Sequence, residues 1–176
     1  GEEIEMRFVD QRLFGGMQID DLVDTGDNSP AGYFPEGEGS SLIPTSVSHI
    51  ARDLLDPHFD AGSVVSKMRR RNSGIKRVLL DQNLLSGIGN IYADESLWRS
   101  RLHYNKPASR ISAKKLSELI ELAKEVLQEA VERGGTSFDE QYKNVNGESG
   151  YFSQDLNAYS LAGLPCQRCG SAIKRE

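Results

Sequence analysis

The sequence predicts a mainly helical domain, entered through a short β element and left through a cysteine-bearing knuckle. Three observations carry this reading. From residue 45 onward, apolar residues recur at helical spacing. A stretch rich in Gly, Ser, Pro and Asp, residues 24–41, separates that region from what precedes it. Residues 4–9 alternate apolar and polar side chains, as a strand does.

Each element follows in order. The strand over residues 4–9 is followed by a turn at 10–16, and residues 17–19 are expected to form a short return strand. Residues 24–41 then read as a long exposed loop and a domain boundary. Thr45 or Ser46 can cap a helix over residues 49–55, which Pro57 ends. Further helices are expected over 63–71 and 75–80, and from Gly89 to Arg101. The clearest helix spans 113–133. Ser112 is its cap, and Leu116, Leu119, Ile120, Ala123, Leu127, Ala130 and Val131 form its apolar face. Gly134 and Gly135 stop it. Residues 136–159 read as loop, and residues 161–173 as a knuckle around Cys166 and Cys169.

Composition limits the function classes. The 176 residues carry a net charge of −5, with 38% hydrophobic and 27% charged residues, which fits a globular domain rather than a disordered chain. No apolar run approaches the ~18 residues of a membrane span. Two cysteines make no disulfide framework, so the expected compartment is the cytoplasm. The chain opens at Gly1 rather than Met, as a piece of a longer protein would. The acidic total conceals a strong asymmetry. Residues 1–60 hold three Lys/Arg against thirteen Asp/Glu, whereas residues 61–115 hold twelve against three. A block of net charge +9 inside an acidic chain reads as a local footprint for a polyanion partner, the alternative being a solvated basic face.

Four motifs bear on chemistry. The first, Gly87-Ile88-Gly89-Asn90-Ile91, is a small-residue turn between two helices. Free N–H groups at the start of the second helix can hold a phosphate, and Asn90 can add its amide. The alternative is a tight packing turn. The second is the run Lys67, Arg69, Arg70, Arg71, Lys76, Arg77, with no acid from 61 to 80 to cancel it. In the third, Arg12 and Phe14 sit at i and i+2 of an extended turn, which would present a guanidinium and an aromatic wedge together, the alternative being Phe14 as an ordinary core residue. The fourth, Cys166-x-x-Cys169, has the form of half a zinc knuckle, and a closed tetrahedral site needs four ligands. Asp94 and Glu95 read as a helix-dipole and ion-pair feature. No catalytic triad or P-loop is present.

Residues 81–97, with Gly-Ile-Gly-Asn-Ile-Tyr-Ala-Asp-Glu-Ser-Leu, resemble the helix-two-turn-helix signature of the formamidopyrimidine-DNA glycosylases, bacterial enzymes that remove oxidised purines. The resemblance spans essentially the whole chain. It implies three parts. Residues 1–44 would end an N-terminal catalytic β-sandwich domain, residues 45–160 would form the helix-two-turn-helix domain, and residues 161–176 part of a zinc finger. It implies DNA contacts at Arg12, Phe14, Arg71, Lys76, Gly89, Asn90 and Tyr159, and a loop capping the flipped base at Gly150, Tyr151 and Phe152. Cys166 and Cys169 would be half of a four-cysteine zinc site, with zinc expected in the full-length family member and none held by this chain. The implied partner is double-stranded DNA bearing an oxidised purine or an abasic site, met by a monomer in the bacterial cytoplasm, at the nucleoid. The family's catalytic groups are an N-terminal proline amine, the glutamate after it and a lysine of the first domain. None has a match here, so the chain alone is expected to be inactive. The competing reading is a non-enzymatic helix-two-turn-helix module that binds nucleic acid. The Arg12–Phe14 turn and the capping-loop sequence favour the glycosylase.

Overall fold

The computed structural model describes residues 15–31, 39–135 and 156–175. Among them, a two-stranded antiparallel ribbon, β1 (Leu22–Asp24) with β2 (Leu42–Pro44), precedes four helices. These are α1 (Ala61–Met68), α2 (Ile75–Leu79), α3 (Asn90–Ser100) and α4 (Ala113–Glu132). The fold is mainly helical, as expected. The strand over 4–9 and the turn residues 10–14 lie outside the described residues.

Local chemistry sets the helix ends. The Asp60 carboxylate accepts the Ser63 N–H at 2.9 Å and opens α1. Ser112 accepts the Lys115 N–H at 3.2 Å and opens α4. At the other end of α4, the Gly135 N–H bonds the Ala130 carbonyl at 2.7 Å and the Gly134 N–H bonds that of Val131 at 3.0 Å. Both glycines take positive φ, 72° at Gly134 and 89° at Gly135, so this is the glycine-terminated stop expected from the sequence. α3 ends in the same way at Arg101, a non-glycine residue with φ 54°.

α4 is the central strut. Leu116, Leu119, Ile120 and Ala123 are fully buried against α1 and α3, together with Met68, Ile75, Leu79, Leu85 and Leu97. Val131, expected on this face, is 69% exposed, whereas its neighbour Ala130 is buried with Val126 and Leu156. Arg99 of α3 forks onto Glu129 of α4 with two contacts of 2.6 Å. That bond raises the arginine pKa and lowers the glutamate pKa.

Two sequence expectations fail. Residues 49–55 form no helix. Asp53 accepts the Leu55 N–H at 2.8 Å, and Asp56 accepts the His58 N–H at 2.7 Å. Such side-chain turns compete directly with helical hydrogen bonds. The segment runs extended instead, with the Ala51 N–H on the Gln82 carbonyl at 2.8 Å and the Ser86 N–H on the Arg52 carbonyl at 3.1 Å. Nor do residues 17–19 form a strand. The pairing starts at Leu22, in register with Pro44.

With Leu119 fully buried, Leu119→Ala should destabilise the protein by about 2–5 kcal/mol. Val131→Ala should stay within about 0.5 kcal/mol. Urea unfolding followed by circular dichroism measures both, and equal effects would contradict this description of the core.

Candidate nucleic-acid interface

The interface is built around the turn between α2 and α3. Buried Leu84, Leu85 and Ile88 anchor the turn from inside. The Gln82 amide crosses it, donating to the Ile88 carbonyl at 3.1 Å. Gly87 takes φ +86°, and a Cβ there would run into the Asp53 carboxylate, so the turn requires glycine. Gly89 is the cap residue of α3. It is exposed, and nothing lies within 4 Å of the place a Cβ would occupy. Asn90, the first helical residue, is also exposed. No side-chain hydrogen bond caps this end. The first N–H groups of α3 and the Asn90 amide therefore gather beside open space, where the helix dipole favours an anion.

The cations are arranged differently from the sequence expectation. Lys76 is half-buried and its ammonium meets both oxygens of Asp94, at 2.7 and 2.9 Å. Arg71 is exposed and lies 3.4 Å from Asp81. The acids missing from residues 61–80 arrive from the following turn and helix, so each of these cations already has an anionic neighbour. Lys67, Arg69, Arg70 and Arg77 are exposed. Arg71 and Lys76 thus belong to the basic surface as compensated charges.

A groove of about 800 Å³ runs beside the start of α3. Its lining runs from Asn90 past Asp94 to Trp98 along α3 and includes Lys76, Tyr159 and the basic pair Lys174 and Arg175. The structure thus brings together three of the sequence-predicted positions, Lys76, Asn90 and Tyr159, and leaves Arg71 outside the groove lining. Tyr159 owes its place to Glu95, whose role the sequence reading missed. This carboxylate is 1% exposed. It accepts the backbone N–H groups of Asn157 at 2.9 Å, Ala158 at 2.8 Å and Tyr159 at 3.0 Å. A buried carboxylate satisfied by three backbone donors acts as the cap of a turn from a distant part of the chain. Its sequence neighbour Asp94 makes the expected ion pair, but Glu95 points the other way, into the fold.

The knuckle stands next to α3. The Cys166 N–H bonds the Ser171 carbonyl and the Gly170 N–H bonds the Cys166 carbonyl, each at 2.8 Å. The Trp98 indole donates to the Cys166 sulfur at 3.4 Å and, with backbone donors, holds that thiol down at about 7. Arg168 stacks on the Trp98 ring at 3.8 Å and bonds the Trp98 carbonyl at 2.8 Å. The turn brings Cys166 and Cys169 together, but no group of three or more metal-ligating side chains gathers among the described residues. Two thiols do not fit a closed tetrahedral zinc site. Arg12, Phe14, Gly150, Tyr151 and Phe152 lie outside the described residues.

A helix–turn–helix whose glycine turn presents an exposed, uncapped helix start beside a basic groove defines the helix-two-turn-helix class of nucleic-acid-binding domains. Residues 50–141 match the model of the formamidopyrimidine-DNA glycosylase H2TH domain, and the chain belongs to that family. It is 56% identical over 174 residues to a formamidopyrimidine-DNA glycosylase of Leifsonia xyli, covering 99% of this chain and 58% of the relative. It is 51% identical over 173 residues to one of Rhodococcus jostii, covering 98% and 55%. The chain thus spans a little over half the length of these curated relatives. Among solved structures it is similar to the MutM (Fpg) protein of Thermus thermophilus, with TM-score 0.69 and 35% identity over 73% of this chain and 48% of that one. It is also similar to Lactococcus lactis Fpg in complex with DNA containing an abasic site, with TM-score 0.67 and 30% identity over 77% and 52%. No helix among the described residues is long and apolar enough to cross a membrane.

The Glu95 geometry predicts that Glu95→Gln costs roughly 2–3 kcal/mol, because a neutral amide replaces a charged acceptor and turns an N–H₂ toward N–H donors. Amide exchange should speed up at Asn157, Ala158 and Tyr159 while Leu119 stays protected. Unchanged protection at those three positions would contradict the assignment.

Proposed function

We propose that this chain is the DNA-holding part of a base-excision-repair glycosylase and abasic-site lyase that acts on oxidised purines. The observation that carries this reading is the open, uncapped start of α3, where Asn90 faces the groove shared with Lys76 and Tyr159. A DNA phosphate fits that place by charge and by hydrogen-bond type. Gly89, Asn90, Lys76 and Tyr159 would hold the backbone, with Arg71 at the edge. Arg12 and Phe14 would enter the opened stack, and Gly150, Tyr151 and Phe152 would cap the flipped base. The relatives' names and the abasic-site complex of the Lactococcus lactis protein support the partner, duplex DNA carrying a lesion or an abasic site.

The parent chemistry would be attack of an amine on the sugar, followed by elimination through the iminium. This reading gives no residue of the chain the nucleophile's role, and the chain on its own is expected to bind without cutting. Borohydride should trap no covalent adduct with abasic-site DNA. The three-part division at residues 44 and 160, action as a monomer in the bacterial cytoplasm at the nucleoid, and zinc held only with ligands beyond Cys166 and Cys169 belong to the same proposal.

The test is a salt-dependent titration of duplex DNA. Asn90→Ala should weaken binding by roughly 1–3 kcal/mol on any sequence, since its amide serves a phosphate in a partly dry turn. Lys76→Gln should flatten the dependence of log K on log salt by about one unit or less, because Asp94 already shares that charge. Wild-type affinity and slope in both variants would place the phosphate surface elsewhere.

A further inference from the structure

We infer that Arg52 is a positioning residue that locks the β ribbon to the turn that starts α3. All five N–H donors of its guanidinium are used. Nε and Nη2 fork onto Asp27 at 2.8 and 2.6 Å, Nη1 reaches Asp56 at 2.8 Å, and the carbonyls of Pro30 and Ser29 accept at 2.9 and 3.2 Å. Asp27, Ser29 and Pro30 belong to the turn that leaves β1, whereas Asp56 belongs to the buried turn that leads into α1. Arg52 is thus a bridge between them, and its side chain is only 18% exposed.

Its main chain faces the other way. The Arg52 carbonyl accepts the Ser86 N–H at 3.1 Å, and the preceding Ala51 N–H bonds Gln82 at 2.8 Å. Both partners lie in the turn that ends at Gly89. One residue therefore holds the ribbon's turn with its side chain and the phosphate-binding turn with its backbone. The ribbon's own packing does not replace this clamp, because Leu22, Val23 and Leu42 are exposed. Grip on the Asp27 turn is grip on both ribbon arms, since Thr25 bonds Ser41 at 2.6 Å and Ala31 bonds Ser40 at 3.0 Å. Lysine cannot substitute, because a point charge has no fork. Arg52 also holds the Asp27 carboxyl well below the usual carboxylate range. A depressed carboxylate contributes above its unfolded pKa and is lost as pH falls through the folded one, so the clamp persists through mildly acidic conditions.

This inference rests on the DNA-binding reading for its consequence. The clamp fixes the ribbon relative to the start of α3, and on that reading a duplex opened at an abasic site, which engages more of the protein than an intact one, depends more on this alignment. The experiment uses the ¹⁵N-labelled chain and its Arg52→Gln, Arg52→Lys and Asp27→Ala variants, the last altering only an exposed turn. Residual dipolar couplings of Val23 and Ile43 are compared with those of α4, and binding to intact and abasic-site duplexes is titrated in parallel. In the wild type, the ribbon and α4 should fit one alignment. In all three variants the ribbon should depart from it while α4 is unchanged. Preference for the abasic duplex should then fall about fivefold. Wild-type couplings in Asp27→Ala and Arg52→Gln overturn the clamp. Altered couplings with an unchanged preference overturn its part in DNA binding. Failure of the wild type to bind either duplex instead overturns the DNA-binding reading, and the couplings still decide whether Arg52 holds the ribbon.

Discussion

The Glu95 carboxylate is the interaction on which the groove depends. It sits on the inward side of α3, close enough to Arg99 for the guanidinium to feel its charge, and draws three consecutive backbone N–H groups of a segment more than sixty residues away in sequence. A buried carboxylate is tolerable where its oxygens are satisfied in this way. The same bonds fix where Tyr159 stands relative to Asn90, two residues that line the groove. Without that bridge, the start of α3 would be an ordinary exposed helix end.

The rest of the architecture holds α3 still. α4 lies behind it as an apolar strut, pinned by the Arg99–Glu129 fork. The extended segment through Arg52 and Asp53 supports the turn from below, and the Asp53 carboxylate fills the space that forces glycine at Gly87. A helix start left open to solvent thus rests on buried apolar contacts to α4 and on the turn braced by Gln82 and Asp53. Preorganisation of this kind makes a few N–H groups and one amide useful to a phosphate, because little order remains to be imposed on binding.

Elements governed by local rules were legible in the sequence. α4 carries its cap, its apolar stripe and its glycine stop within its own residues, and the Gly-rich turn with Asn90 lies where the spacing put it. The extended segment at 51–53 was not legible, because its partner is the turn some thirty residues on and its aspartates take the N–H groups that a helix would use. The short β2 strand was masked by a loop-like composition just before it. The charge reading went astray for a similar reason. A window free of acids says nothing about acids on the next helix, and Asp94 and Asp81 supply them. Glu95 carried no distinguishing signal, since side by side with Asp94 it looks like a second member of an acidic pair, and only the fold shows that the two point apart.

The central claim is that the start of α3 is where DNA meets this chain. Its most direct test is an amide chemical-shift titration of the ¹⁵N-labelled protein with a short duplex containing an abasic-site analogue. The account predicts that the largest shifts fall at Gly89, Asn90, Ile91 and Tyr159, with the exposed face of α4 unmoved. Shifts centred on Glu121, Glu125 and Glu132, with Asn90 silent, would contradict it.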